Sequence, residues 1–156
     1  MSIVQGAESN LTGSWLETTV ELQLKQRHIP VFEYTHDLGN GHLFYKTRAV
    51  RRVPYTSIYG CHSVSEFVLH HMERSVRIEC RVQETAGSVD EKFPYLLWNA
   101  RDRMPENEVI IILHGEGARR QAVEWLRREC GRIESKRIRV QTLSEFYAWL
   151  KVFLAG

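Results

Sequence analysis

The stretch Arg77-Ile78-Glu79-Cys80-Arg81-Val82-Gln83 decides the reading of this chain. Val76, Ile78, Cys80 and Val82 alternate with Arg77, Glu79, Arg81 and Gln83, the period-2 signature of a strand with one buried face. The other face then carries an acid, a guanidinium and an amide in a row, each about 6–7 Å from the next. A carboxylate two residues before a cationic side chain suits metal-assisted phosphodiester hydrolysis. The acid holds a divalent cation, and the base neutralises charge on the attacked phosphate. The same residues also read as a plain solvated strand face, so the rest of the chain has to decide.

Working outward, Glu66-Phe67-Val68-Leu69-His70 is a short apolar strand opening with an acid, and Met72-Glu73-Arg74-Ser75 turns it into the Arg77 strand as a hairpin. Neighbouring strands lie about 4.8 Å apart, so Glu66 and Glu79 can converge on one cation. Glu66 equally reads as a surface acid at a strand end. Downstream, Asp90 is the expected cap of a helix over residues 91–104, with Pro94 in its first turn. Glu108-Val109-Ile110-Ile111-Ile112-Leu113 is a continuous apolar run, as expected of a central strand covered on both faces. Gly115-Glu116-Gly117 is a glycine turn without a phosphate-loop pattern. A helix over residues 119–130, stopped by Gly131, a strand over 137–140, and a last helix opened by the Thr142/Glu145 capping box complete this half.

Upstream, Ser14 and Glu17 form a capping-box pattern, and Leu16, Val20 and Leu24 give the helix that follows an apolar stripe. Glu17 and Glu21 sit on a neighbouring face, where they either reach a cleft or serve as a cap and a solvated charge. A short strand is expected over 31–34, a turn at Asp37-Leu38-Gly39-Asn40-Gly41, another strand over 42–45, and an irregular, binding-type loop over 48–60. Residues 1–11 read as a flexible tail and 12–156 as one domain.

A net charge of only +2 does not announce a nucleic-acid binder. Arginine is unevenly placed, however, with Arg48, Arg51 and Arg52 in one cluster and Arg119 and Arg120 opening another; both are candidate phosphate contacts. The three cysteines, an odd number without metal spacing, read as reduced thiols and so as a cytoplasmic chain. No apolar run approaches a membrane span and no leader is expected at the N-terminus.

In order, the elements describe an α/β fold with a mixed sheet flanked by helices on both faces. The arrangement resembles the PD-(D/E)XK nuclease superfamily, the restriction-endonuclease-like fold, over roughly Leu11 to Leu154. The carriers are "TGSWLETTVELQL", "SEFVL", "IECRVQ", "GSVDEKFPYLLWNA", "VIIILHGEG" and "TLSEFYAWL". The resemblance implies cleavage of DNA phosphodiesters with Mg²⁺ or Mn²⁺, in restriction, mobile-element or phage-related biology, and a homodimer where both strands are cut. Carried onto this sequence, it makes Glu66 and Glu79 the metal-binding acids, Gln83 the downstream glutamine, and Glu17 or Glu21 the helix acid. Arg81 stands where the family has lysine. An arginine cannot lose a proton at working pH and so can only stabilise charge. Lys92 is the alternative source of an ammonium, or else a surface lysine in a first helical turn. The Arg81 departure keeps a second expectation open: a catalytically inactive member that binds DNA or a protein.

Overall fold

A computed structural model describes residues 2–35 and 39–156. The elements are α1 (Ser2–Gln26), β1 (Val31–Glu33), a 3-10 turn (Asn40–Phe44), β2 (Thr47–Thr56), β3 (His62–His71), β4 (Arg74–Val82), a second 3-10 turn (Asp90–Lys92), α2 (Phe93–Asp102), β5 (Glu108–His114), α3 (Arg120–Arg132), β6 (Arg137–Gln141) and α4 (Leu143–Ala155). The six strands form one mixed sheet in sequence order. The β2–β3 and β3–β4 pairs are antiparallel, while β1–β2, β4–β5 and β5–β6 are parallel.

Each sheet face has its own core. Val76, Ile78 and Cys80 of β4, with Ile110 and Ile112 of β5, pack against Leu16, Val20 and Leu24 of α1 and Phe146, Leu150 and Phe153 of α4. Val109 and Ile111 of β5, with Ile138 and Val140 of β6, pack against α2 and α3. The two parallel crossovers, β4–α2–β5 and β5–α3–β6, therefore deliver both their helices to one face. Coverage on both sides explains why β5 is apolar without interruption.

Several local expectations need correction. The 48–60 segment is mostly strand: β2 pairs with β3 from Thr47↔His71 to Thr56↔His62. Its charges and Pro54 hide the pattern. Proline is tolerated because β1 pairs only with Ala49, Val50 and Arg51, which leaves that edge of β2 open at Pro54. The expected strand over 42–45 belongs to a 3-10 turn instead. Asp37 and Leu38 of the expected turn lie outside the described residues. Helix α1 begins at Ser2, so Ser14 and Glu17 lie inside it and form no cap. Gly131 does not stop α3, which runs on to Arg132. The Thr142/Glu145 capping box forms as read, with both reciprocal bonds present.

Candidate active site

The site lies where β3 and β4 part. Their pairing is regular from His71↔Arg74 to Phe67↔Ile78 and ends there. The next free amide on β4, Cys80 N–H, donates instead to Glu66 Oε2 at 2.8 Å. On β2, opposite this point, Arg52 adopts a left-handed φ of 55°, interrupting the ladder between Arg51↔Phe67 and Val53↔Ser65. A non-glycine residue held at positive φ is a local strain of the kind that re-aims side chains at a strand end.

Glu79 is fully buried. Its Oε1 accepts from the Ser65 hydroxyl and its Oε2 accepts from Arg81 Nη2 at 2.8 Å. Arg81 Nη1 donates to the Cys80 carbonyl at 2.8 Å and lies 3.6 Å from Glu66 Oε1. Three oxygens from Glu66, Glu79 and Cys80 thus surround one guanidinium. Burial pushes the Glu66 carboxyl up to about 7, and the Glu79 charge adds to the rise, against the opposing pull of Arg81 and the Cys80 amide. Burial by itself would lower the Arg81 pKa, but Glu79 and Glu66 more than offset it, so the guanidinium stays charged.

The elevated Glu66 pKa has a consequence for stability. The folded state holds this proton more tightly than the unfolded chain. The contribution to stability is therefore complete below the ordinary carboxyl range and is lost as pH rises through about 7. In the presence of a chelator, urea midpoints are expected to fall between about pH 5 and pH 8, and Glu66→Gln should flatten that slope. Equal slopes in the two proteins would remove Glu66 as the proton's holder.

Behind the carboxylates lies a second polar layer. Arg77 is 1% exposed although its side chain projects from the face read as open. It donates to Ser65 Oγ at 2.9 Å, to the Val53 carbonyl at 3.2 Å and to Glu106 Oε1 at 3.0 Å, and its guanidinium lies 5.5 Å from the Tyr55 ring centroid. Ser65 consequently relays between Arg77 and Glu79, accepting from one and donating to the other. The Tyr55 phenol is pushed up to about 12, first by burial and then by the Glu79 charge. No local pattern marked Ser65, Arg77 or Tyr55, because their partners come from other strands and from Glu106.

The remaining expected residues separate into two groups. Glu17 and Glu21 share Arg51, at 2.8 and 2.9 Å, and Glu33 approaches the same guanidinium at 3.4 Å. Glu17 also lies near enough to contribute to the raised pKa of the Cys80 thiol, behind burial, Glu66 and Glu79. It is thus near the site but engaged with arginine. Gln83 uses both ends of its amide on backbone, donating to Gly117 O at 3.1 Å and accepting from Asp90 N–H at 3.2 Å. It braces the glycine turn and does not point at the carboxylates. That turn needs its glycines: a Cβ on Gly117 would lie 2.2 Å from Thr85 O, and Gly115 has φ +93°. Asp90, expected as a helix cap, is buried and accepts from Arg119 through the backbone N–H at 3.0 Å and Nε at 2.8 Å.

The arginines expected to hold phosphates are largely occupied. Arg48 donates to Tyr45 O at 2.9 Å, Arg52 pairs with Glu33 at 3.0 Å, Arg119 with Asp90, and Arg120 with Glu124 at 2.8 Å. Arg51 lies beneath α1, whereas Arg119 and Arg120 lie beside α2 and α3 on the opposite sheet face, so the five form no single basic surface. Lys92 is exposed at the end of the 3-10 turn leading into α2.

This combination, a mixed sheet with two carboxylates and a cationic side chain at the mouth of a splayed strand pair, is that of a restriction-endonuclease-like fold. A family model described as a PD-(D/E)XK nuclease superfamily domain matches residues 8–154. The chain belongs to the PD-(D/E)XK nuclease superfamily. No curated protein and no solved structure matches it. Nucleases of this superfamily generally use divalent metals. Among the described residues, no cluster of three or more His, Cys, Asp and Glu side chains is placed to hold a metal ion. The oxygens around Arg81 nevertheless suit a hard cation in kind, being two carboxylates and a carbonyl. No described helix is long and apolar enough to cross a membrane.

Proposed function

We propose that this chain is a divalent-metal-dependent endonuclease that hydrolyses DNA phosphodiester bonds, with Glu66 and Glu79 holding Mg²⁺ or Mn²⁺. The observation that carries this reading is the convergence of Glu66 Oε1, Glu79 Oε2 and the Cys80 carbonyl on one cationic group. When bound, the cation supplies Lewis-acid stabilisation of phosphoryl charge and a lowered pKa for attacking water. Glu79, fixed by Ser65, has its second carboxyl oxygen directed at the shared point. Arg81 has to release the carboxylates for the cation to take those oxygens. Its guanidinium is then available to the non-bridging oxygens of the phosphate, where a planar fork fits well. Arg81 stabilises charge there and cannot act as the base. Cleavage would be read as nicking or linearisation of supercoiled plasmid with Mg²⁺ and with Mn²⁺. Intact plasmid with both metals, from folded protein, would defeat the proposal.

A second reading is favoured by the same guanidinium. Arg81 sits among the oxygens a cation needs, as expected in a member that keeps the scaffold for binding DNA or a protein without cleaving. Metal binding separates the two. Two unit charges about 4 Å apart interact by about 4 kcal/mol at an effective dielectric near 20, so Arg81 competes strongly with an incoming cation. Arg81→Met is expected to bind Mn²⁺ at least about tenfold more tightly by calorimetry, while Arg81→Lys preserves part of the cleavage. Unchanged affinity in Arg81→Met would show that Arg81 does not compete. Undetectable binding in both the wild type and that variant would support the non-catalytic reading.

A further inference from the structure

The tip of the β2–β3 hairpin is held more firmly than a surface turn needs to be. Ser57 N–H donates to Cys61 O and Gly60 N–H to Ser57 O, both at 2.8 Å, with Gly60 at φ +76° closing the turn. Ile58 N–H donates at 2.8 Å to Oδ1 of Asn99, a buried side chain on α2. Ser57 is itself fully buried. The product of this anchoring is one outward-facing ring. Tyr59 stacks on Tyr95 of α2 at 5.0 Å between centroids, with 27° between planes, yet remains 74% exposed. Tyr55 pairs with Ser63 across β2 and β3, and two residues farther along β3 the Ser65 hydroxyl donates to Glu79. The hairpin whose tip carries Tyr59 therefore leads along its paired strands to the carboxylate site.

Lys92 is exposed and precedes Tyr95 by three residues at the entry to α2, the spacing of neighbouring side chains along a helix. A rigid aromatic face with a cation beside it, next to a phosphodiester site, suits a nucleotide. The ring takes the base and the ammonium takes the phosphate. A base inside a duplex already has both faces stacked on its neighbours, so only an unpaired base can lie on Tyr59.

We infer that Tyr59, backed by Tyr95 and flanked by Lys92, is a stacking platform for an unpaired nucleobase of the strand whose phosphate lies at Glu66, Glu79 and Arg81. The substrate class is then single-stranded or locally unpaired nucleic acid. This deepens the endonuclease reading and rests on it for the position of the phosphate.

The test uses binding without cleavage, with Ca²⁺ in place of Mg²⁺. Single-stranded DNA oligonucleotides carrying 2-aminopurine at successive positions are titrated with the full chain, beside a blunt duplex of the same sequence. The expected result is quenching at one or two positions and tighter binding of the single strand. Tyr59→Ala should abolish the quench and weaken binding about tenfold, while Tyr59→Trp restores both. Tyr59 lies outside both hydrophobic cores, so these variants should unfold at the same temperature as the wild type. Equal binding by Tyr59→Ala, or a duplex bound as tightly as the single strand without quenching, would overturn the inference. Failure of the endonuclease reading looks different: quenching that depends on Tyr59 would persist while plasmid stays intact.

Discussion

Glu79→Gln is expected to lower plasmid cleavage by between about a hundredfold and a thousandfold, the range seen when one preorganised electrostatic group is lost from a reaction centre. The substitution keeps the side-chain volume in a fully buried position and removes the charge and one acceptor oxygen. An amide there cannot attract a divalent cation as a carboxylate does, and it leaves one acceptor oxygen where Ser65 and Arg81 had two. With that oxygen kept by Ser65, Arg81 is left the Cys80 carbonyl at 2.8 Å and the more distant Glu66 carboxylate at 3.6 Å. Mn²⁺ binding should weaken with cleavage, because the same oxygens serve both. Time courses of nicking and calorimetric Mn²⁺ titrations, on protein with unchanged circular dichroism, would check this. Cleavage within about threefold of wild type would remove Glu79 from the reaction, since a loss that small is under 1 kcal/mol of transition-state stabilisation.

The alternation in β4 told correctly which residues face α1 and α4, and the apolar run of β5 told that both its faces are covered. What alternation cannot tell is what lies over the other face. Arg77 and Glu79 looked like members of an open, polar face, and both are buried, because Ser65, Tyr55 and Glu106 close over them from elsewhere in the chain. The pairing of Glu66 with Glu79 through a shared guanidinium was within reach of the sequence, since a hairpin brings them together. The break in the β3–β4 ladder that frees Cys80 N–H for Glu66 was not, having no residue pattern of its own. Glu17 and Glu21 were correctly placed on one helix face, but their common partner Arg51 is thirty or more residues away. Asp90 misled for the same reason: its position suggests a cap, and only the fold brings Arg119 to it. Local devices such as the Thr142 capping box were legible because both partners lie within one turn.

Arg77→Met is expected to cost about 3–5 kcal/mol of stability, the usual consequence of breaking a buried ion pair from one side. That is a large part of the total of about 5–15 kcal/mol typical of a single domain. Methionine fills much of the volume, so the loss is mainly polar. Glu106 would keep a charge in a site with little solvent, Ser65 would lose a donor, and the Val53 carbonyl would lose its side-chain partner. Adding Glu106→Gln should recover part of the loss, because it removes the stranded charge, and the recovery measures how much of the cost came from that charge. Urea denaturation with an unchanged slope is the appropriate measurement. The double variant should still cleave poorly even where it is stable. Ser65, without Arg77, no longer has a fixed acceptor geometry and holds Glu79 less firmly toward Arg81. A single-variant cost below about 1 kcal/mol would mean that water replaces Glu106 at little expense, and that the layer beneath the carboxylates is not a buried pair.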